Sequence, residues 1–235
     1  MTGVEGAVST RGGAAGGAGP SFGQRVLYRI ARNLLVAVSM TYWRLRIEGR
    51  ELVPPGPFVL APVHRSNIDT PLVAGVTQRR LRYMGKDTMW KHRAPGWLFT
   101  ALGGFPVRRG TADRVAMRLC LEVLAGGEPL VVFPEGGRRS GPVIGPISEG
   151  AAYLAIRAGV PIVPVGIGGS ERAMTKGSWV LRPVRCSVII GAPIHPPSAP
   201  TDGKRAPRRT VHELTERLRA ELQRLFDEAQ ARVGA

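Results

Sequence analysis

The sequence predicts an α/β fold: a central, largely parallel sheet flanked by helices, preceded by an amphipathic helical segment at the N-terminus. Short apolar runs of strand length alternate with stretches of helix length along most of the chain, which is typical of parallel strands joined by crossover helices. At 235 residues the chain is also long enough to bury a substantial core without disulfide or metal support.

The N-terminal segment, residues 1–20, is predicted to be a disordered tail. It is rich in glycine and alanine, has no apolar periodicity and carries no side chains suited to a core. It has neither the positively charged start nor the apolar run of a secretory signal, so we do not expect export.

Residues 21–50 are predicted to form an amphipathic interfacial segment, with a helix over residues 22–47. Its uninterrupted apolar run, residues 34–38, is far shorter than the ~20 residues needed to cross a bilayer. A basic amphipathic helix followed by Tyr42 and Trp43 suits a membrane interface. The alternative is that the helix packs its apolar side onto the domain and leaves its arginines in water. The arginines in question are Arg25, Arg29 and Arg32.

The remaining residues, 51–235, are predicted to form a single α/β domain. An apolar run at residues 57–63 is the first predicted strand. The later predicted strands are residues 81–85, 130–134, 162–167 and 186–191, and the predicted helices between them are residues 112–125 and 147–158. A last helix is predicted to begin at Thr210, with Glu213 completing a capping box.

The charge of the chain predicts an anionic partner. Lysine and arginine number 33 against 17 acidic residues, for a formal net charge of +16. Such a chain seeks phospholipid surfaces, phosphorylated substrates or nucleic acid. The two cysteines, Cys120 and Cys186, lie far apart among apolar neighbours, which favours reduced core residues and a cytosolic setting.

A histidine and a carboxylate follow the first predicted strand at a spacing of five. His64 stands at the carboxyl end of that strand, where α/β sheets expose their sites. Asp69 stands at a loop-to-helix junction, because Pro71 suits the first turn of a helix. A turn between them would place the carboxylate against one ring nitrogen and leave the other free as an oriented general base. The alternative role of Asp69 is a helix cap.

Three further segments occur downstream of this pair: residues 103–109, 133–139 and 160–166. Together with residues 64–69 they resemble the four ordered motifs of the glycerolipid acyltransferases, the family that includes bacterial 1-acylglycerol-3-phosphate acyltransferases. The resemblance covers about residues 57–167, and four motifs in the same order are far more specific than any one of them.

The resemblance implies a function and a set of site residues. His64 would take the proton from the hydroxyl of lysophosphatidate, Asp69 would orient the ring, and the acyl group would pass directly from acyl-CoA or acyl carrier protein to form phosphatidate. No cofactor or metal is expected beyond the acyl carrier. We expect a phospholipid membrane surface as a partner, with the protein peripheral on the cytoplasmic face of the cell membrane. The implied substrate-binding residues are Lys86, Arg109, Glu135, Gly136 and Arg138.

The chain departs from the family pattern in its third motif. The usual Glu-Gly-Thr-Arg-Ser reads Glu-Gly-Gly-Arg-Arg at residues 135–139, and the lysine of a later Phe-Lys-x-Gly stretch is missing at residues 147–150. These differences keep another lysophospholipid or a glycolipid open as the acceptor.

Two other function classes compete with an acyltransferase. A basic nucleic-acid-binding protein fits the charge, but aromatics are only 6% of the chain, and no helix-turn-helix, zinc-ligand or RNA-recognition pattern occurs. A serine hydrolase would use Ser170, but residues 168–172 lack the G-x-S-x-G spacing of a nucleophile elbow.

Overall fold

The computed structural model of the protein describes residues 22–107, 114–175, 177–197 and 207–234. The predicted disordered tail lies outside these ranges. Within them the chain forms seven strands: β1 (Arg46–Glu48), β2 (Val59–Pro62), β3 (Arg82–Lys86), β4 (Gly104–Val107), β5 (Leu130–Val131), β6 (Ile162–Gly168) and β7 (Ser187–Ile190). The helices are α1 (Phe22–Tyr42), α2 (Asp69–Val73), α3 (Arg93–Ala101), α4 (Arg114–Ala125), α5 (Gly150–Ala158), α6 (Ser170–Ala173) and α7 (Arg208–Arg232).

The described strands make one sheet in the order β1-β7-β6-β2-β5-β3-β4. Every neighbouring pair is parallel except β6 and β7. The predicted fold class is therefore confirmed. β2 lies at the centre between β6 and β5, and Val59 to Ala61 are fully buried because helices cover both faces of a parallel sheet.

Alternating side chains of β2 divide the core into two layers. Val59 and Ala61 pack in one cluster with α4, α5 and α7, whereas Leu60 packs in the other with α2 and Trp43. Helix α7 lies close against β6 at Gly166 and Gly168, where an added Cβ would overlap the carbonyl oxygens of Leu225 and Ala229. The two glycines thus let the longest helix contact the sheet directly.

Several predicted element boundaries differ from the structure by a few residues, and two of the differences change the role of named residues. The N-terminal helix ends at Tyr42 rather than at residue 47, and Arg46–Glu48 instead forms an edge strand beside β7. The last helix begins at Arg208, so Thr210 is not its cap, and the Glu213 carboxylate accepts from Arg209 at 2.7 Å instead of completing a capping box. At Arg46–Glu48 the pairing with β7 outweighs the local pattern, whereas at the start of α7 the Glu213 carboxylate bonds to a side chain of the same helix.

Helix α6 and strand β1 were not predicted, and neither was a consecutive pair of elements at one edge of the sheet. Helix α3 and strand β4 follow each other, and β4 pairs only with β3, at the edge of the sheet. Pro106 in β4 lacks a backbone N–H donor, which is tolerated on an edge strand. This proline and two glycines interrupt the run of apolar residues by which a strand is predicted from sequence.

Candidate active site

His64 stands where β2 leaves the sheet. Val63 is the last residue in the ladder and donates its N–H to Val165 O at 3.0 Å. Strand β5 ends beside β2, so the loop that follows it, residues 133–139, lies against the histidine loop. Arg139 N–H donates to His64 O at 2.9 Å and connects the two loops. The predicted position of His64 at the carboxyl end of a central strand is confirmed.

Asp69 begins α2 and points back at the histidine. Its Oδ2 lies 3.0 Å from His64 Nδ1 and also accepts the backbone N–H groups of Arg65 and Ser66, each at 2.7 Å. The carboxylate is fully buried, while the His64 side chain is 17% exposed. Because Asp69 can only accept, these bonds assign the ring proton to Nδ1 and leave Nε2 with its lone pair. The geometry is that of an oriented general base.

Phe133 fixes the plane of the imidazole. The ring centroids of His64 and Phe133 are 4.1 Å apart at an interplanar angle of 27°, a stacked arrangement. The ring is therefore held by a hydrogen bond on one edge and by an aromatic face, which limits its rotation and directs Nε2 in one direction.

The Glu135 carboxylate makes its hydrogen bonds to neighbouring residues of the protein. Its Oε1 accepts the backbone N–H of His64 at 2.8 Å, and its Oε2 accepts from Arg65 Nη1 at 2.8 Å. Burial raises the pKa of the Glu135 carboxyl, and the His64 N–H and the Arg65 guanidinium oppose that shift. These contacts place Glu135 as a support of the histidine loop, and its predicted contact with the acceptor stays a prediction.

Arg65 is the site residue that sequence reasoning missed. The side chain is 2% exposed, reaches Val143 O with Nη2 at 3.3 Å, and places its guanidinium 4.9 Å from the centre of the Phe226 ring on α7. A buried carboxylate such as Glu135 requires a counter-charge, and that requirement is the signal that points to the arginine next to His64.

The other predicted substrate-binding residues differ in what surrounds them. Gly136 has φ of +69° and an added Cβ would meet nothing within 4 Å, so the glycine serves the backbone conformation and leaves open space beside it. Arg138 is half-buried, and its guanidinium has no hydrogen bond or salt bridge within the described residues. Lys86 ends β3, though the position of its side chain is not described, and Arg109 lies outside the described residues.

The nucleophiles that other mechanisms need are not available. Burial raises the pKa of both Cys120 and Cys186 to about 12, so each stays a thiol. Ser66 Oγ donates to Met174 O at 2.8 Å, and Ser170 is fully buried. In the described part of the chain no serine hydroxyl bonds to a histidine, and no three His, Cys, Asp or Glu residues are arranged to hold a metal.

Comparisons with known proteins find a family model and sequence relatives that resemble this chain. The family model described as Acyltransferase matches residues 44–168, which include every predicted site residue. A chloroplastic 1-acyl-sn-glycerol-3-phosphate acyltransferase of Brassica napus is 26% identical over 178 residues, covering 73% of this chain and 52% of that protein. A 1-acyl-sn-glycerol-3-phosphate acyltransferase of Bacillus subtilis is 25% identical over 171 residues, covering 72% and 83%.

A solved structure has the same fold. The crystal structure of PlsC from Thermotoga maritima, a 1-acyl-sn-glycerophosphate (LPA) acyltransferase, matches with a TM-score of 0.73 at 25% identity and covers 88% of this chain and 81% of that chain. The chain spans about half the length of the chloroplastic relatives that it matches.

Proposed function

Because this chain belongs to the acyltransferase family, we propose that it transfers a fatty acyl group from a thioester to the free hydroxyl of lysophosphatidate and so forms phosphatidate. The observation that carries the proposal is the His64–Asp69 pair at the end of β2, with Nδ1 bonded at 3.0 Å and Nε2 free. The relatives named above act on an acyl-glycerol phosphate according to their names, which supports this acceptor.

The chemistry follows from the free ring nitrogen. His64 Nε2 takes the proton of the acceptor hydroxyl as its oxygen attacks the thioester carbonyl carbon. The tetrahedral intermediate then expels the thiolate of the donor, and the imidazolium returns the proton to that sulfur. Asp69 stabilises the imidazolium in between, because an opposite charge 3.0 Å from Nδ1 favours the protonated ring. No acyl-enzyme is formed, in keeping with the high thiol pKa of the two cysteines.

The acceptor phosphate needs a cation at a fixed distance from His64. Arg138 lies in the loop of residues 133–139, which is held against the histidine loop by the bond from Arg139 N–H to His64 O at 2.9 Å. The Arg138 guanidinium has no acceptor within the described residues. A guanidinium binds phosphate through charge-assisted, forked hydrogen bonds. We assign Arg138 to binding of the acceptor phosphate. Arg109 and Lys86 are proposed as further contacts because the resemblance to the family motifs implies them. Coenzyme A and acyl carrier protein both fit the basic chain as donor.

The N-terminal helix supports a membrane partner by an unexpected arrangement. Helix α1 buries Tyr28, Val36 and Ser39 against the domain, and Arg32 Nε donates to Ala74 O and Thr77 O at 3.1 and 3.0 Å. Inward packing of the apolar side therefore holds for Val36 but not for most of the large apolar residues of α1, and a lipid-facing role for Arg32 is wrong. The outward side carries exposed large apolar residues: Phe22, Val26, Ile30, Leu34, Leu35 and Val38.

This apolar face fits the interface of a bilayer. Among the described residues no helix is both long and apolar enough to span a membrane. A nearby loop adds Trp179, Val180 and Leu181, all exposed, and Tyr42 at the end of α1 donates its hydroxyl to Leu181 O at 3.1 Å. We propose peripheral attachment to the cytoplasmic leaflet through this face, because burial of apolar side chains and attraction of arginines to anionic lipid act together there.

The acceptor proposal is tested by assaying the purified protein with lysophosphatidate, other lysophospholipids and monoacylglycerol, each with acyl-CoA and with acyl carrier protein. We expect lysophosphatidate to give the highest kcat/KM. His64→Ala should remove transfer, whereas His212→Ala, at an exposed position on α7, should keep it. Equal rates on phosphorylated and unphosphorylated acceptors would overturn the assignment of the acceptor.

The attachment proposal has a separate test. Ile30→Glu/Leu34→Glu should weaken sedimentation with phospholipid vesicles, because it places charge in the proposed buried face, and Val115→Glu, an exposed apolar position on α4, serves as the control. If both variants sediment as the parent does, the lipid reaches His64 by another surface.

A further inference from the structure

A small cleft lies between the start of β1, the start of β7 and the end of α7. Its volume is about 120 Å³, and Arg44, Arg46, Arg185, Ser187 and Arg232 are among its lining residues. We call these five residues the arginine cleft. Because β7 is antiparallel to β6, its first residue, Ser187, pairs with Gly168 at the carboxyl end of β6. The cleft therefore opens at the same edge of the sheet as His64, with β6 between the two sites.

The cleft concentrates positive charge that the protein does not neutralise. Arg232 is paired, since its guanidinium bonds to Glu48 at 3.1 Å and to Glu228 at 3.2 Å. Arg44, Arg46 and Arg185 are exposed, and none of their guanidinium groups has a hydrogen bond or salt bridge within the described residues. Like charges this close repel one another unless an anion lies between them.

A buried hydroxyl in the cleft is a second, independent observation. Ser187 is 1% exposed, and its Oγ has no hydrogen-bond partner in the part of the chain that the structure describes. A buried polar group without a partner is unfavourable, so such a group at a cleft wall points to an acceptor that comes from outside.

The backbone of the cleft is also unusual. Arg44 has φ of +45°, and it is the one non-glycine residue among those described with a positive φ. The flanking chain holds this conformation, because Cys186 N–H donates to Trp43 O at 2.9 Å and Arg46 N–H donates to Cys186 O at 3.1 Å. Left-handed conformations of non-glycine residues concentrate at binding sites.

We propose that the arginine cleft binds a phosphate group, with the three unpaired guanidinium groups and the Ser187 hydroxyl as donors. Guanidinium and hydroxyl groups are the donors that phosphate oxygens accept from, and the charge of the group offsets the repulsion among the arginines. The volume is well below the 300–1,000 Å³ of pockets for drug-sized ligands, so the cleft accommodates the phosphate and leaves the rest of the ligand outside.

The phosphate can belong to an anionic lipid headgroup or to a soluble phosphate. Arg44 of the cleft lies two residues after Tyr42, and Tyr42 contacts Leu181 in the exposed apolar loop. A headgroup of a lipid that contacts this loop can therefore reach the cleft. The site is separate from the acceptor phosphate assigned to Arg138, because it lies on other strands and uses none of the family-motif residues. Its occupancy therefore does not depend on the acyl-transfer chemistry.

Two triple variants of the full chain test the proposal. The cleft variant is Arg44→Gln/Arg46→Gln/Arg185→Gln, and the control is Arg157→Gln/Arg208→Gln/Arg217→Gln, three exposed arginines outside the cleft. Both lose three charges, so general electrostatic attraction falls equally. The probes are phosphatidylcholine vesicles with phosphatidylglycerol, which is neither the proposed acceptor nor its product, and inorganic phosphate measured by titration calorimetry.

We expect the cleft variant to bind phosphatidylglycerol vesicles roughly tenfold more weakly than the parent and the control variant about twofold more weakly. Loss confined to vesicles identifies a lipid headgroup, and parallel loss of inorganic phosphate binding identifies a soluble ligand. Ser187→Ala keeps every charge and should still weaken binding about threefold, which separates a built site from a charged surface. If the two triple variants weaken binding of both probes equally, the proposal is wrong, whatever the rate of acyl transfer.

Discussion

Two neighbouring residues, His64 and Arg65, each pair with a buried carboxylate, and the two pairs differ in exposure. The His64–Asp69 pair joins a side chain that is 17% exposed to one that is fully buried. The side chains of Arg65 and Glu135 are only 1% and 2% exposed. A substrate hydroxyl can reach the first pair, whereas the second pair is closed off from substrate. The difference separates a pair suited to chemistry from one that supports it.

The supporting pair also differs in what it connects. Asp69 lies five residues from His64 and closes one local turn, whereas Glu135 lies 70 residues from Arg65 and joins the end of β5 to the histidine loop. Glu135 accepts from the backbone of His64 as well, so the second pair sets the position of the first. We expect substitutions in the first pair to act on rate and those in the second to act on stability.

The largest effect should come from His64→Ala. Loss of the general base should lower kcat by roughly 10³-fold or more, while acceptor binding changes little. The free energy of unfolding should fall less than for a change at Arg65, because Asp69 keeps the backbone N–H groups of Arg65 and Ser66. Steady-state kinetics and denaturant unfolding measure the two quantities. Near-parental turnover in a folded His64→Ala protein would refute the mechanism.

The opposite behaviour is expected of Arg65→Met. It leaves Glu135 buried without its counter-charge and should lower the free energy of unfolding by about 3–5 kcal/mol, as measured by denaturant titration. The double variant Arg65→Met/Glu135→Gln removes the stranded charge and should recover part of the loss. If the double variant is as unstable as the sum of its single changes, the pair is not coupled and the comparison fails.

Asp69→Asn separates the role of the carboxylate from that of the ring in the first pair. The amide preserves the shape but offers less stabilisation of the imidazolium and permits the wrong ring tautomer, so we expect kcat to fall by about 10²-fold, less than for His64→Ala. The pH profile of kcat should change as well, since the charge 3.0 Å from Nδ1 is gone. A loss of stability with an unchanged profile would indicate a purely structural role.

The third-motif loop carries the next prediction, with adjacent arginines as a matched pair. Arg138→Ala should raise the KM for lysophosphatidate about tenfold with little change in kcat, because contacts to the phosphate are remote from the reacting carbonyl. Arg139→Ala keeps the backbone N–H that bonds to His64 O and should change the KM less than twofold. Equal effects of the two substitutions would mean that charge in this loop, and not Arg138, binds the acceptor.

The smallest effect concerns pH and the second pair. Burial raises the folded-state pKa of Glu135, so the native state holds that proton more tightly than the unfolded chain does. The contribution of this residue to stability is then greatest below its unfolded pKa and falls as the pH rises through the raised folded-state pKa. Urea titrations of the parent and of Glu135→Gln should diverge progressively across this window, whereas a difference that stays constant with pH would contradict the shift.

Sequence reasoning reached the catalytic pair because its geometry is local. An apolar strand, a short polar loop and a helix with an early proline confine His64 and Asp69 to one turn, and the structure brings them to 3.0 Å. The same reasoning missed α3 and β4, whose glycines and prolines break the apolar pattern. It placed the start of α7 at Thr210 on a capping-box motif, whereas the helix begins at Arg208 and Glu213 bonds to Arg209.

The sequence by itself determined the central sheet, the place of His64 at its carboxyl edge and the excess of arginine that seeks anions. Only the tertiary structure decided which side of α1 is buried, which partner Arg65 takes, and that Arg44, Arg46 and Arg185 line one cleft. The physical reason is distance along the chain. Strand and turn patterns arise from neighbours within a few residues, whereas the burial of a helix face and the pairing of charges depend on segments up to 184 residues apart that meet only when the sheet closes.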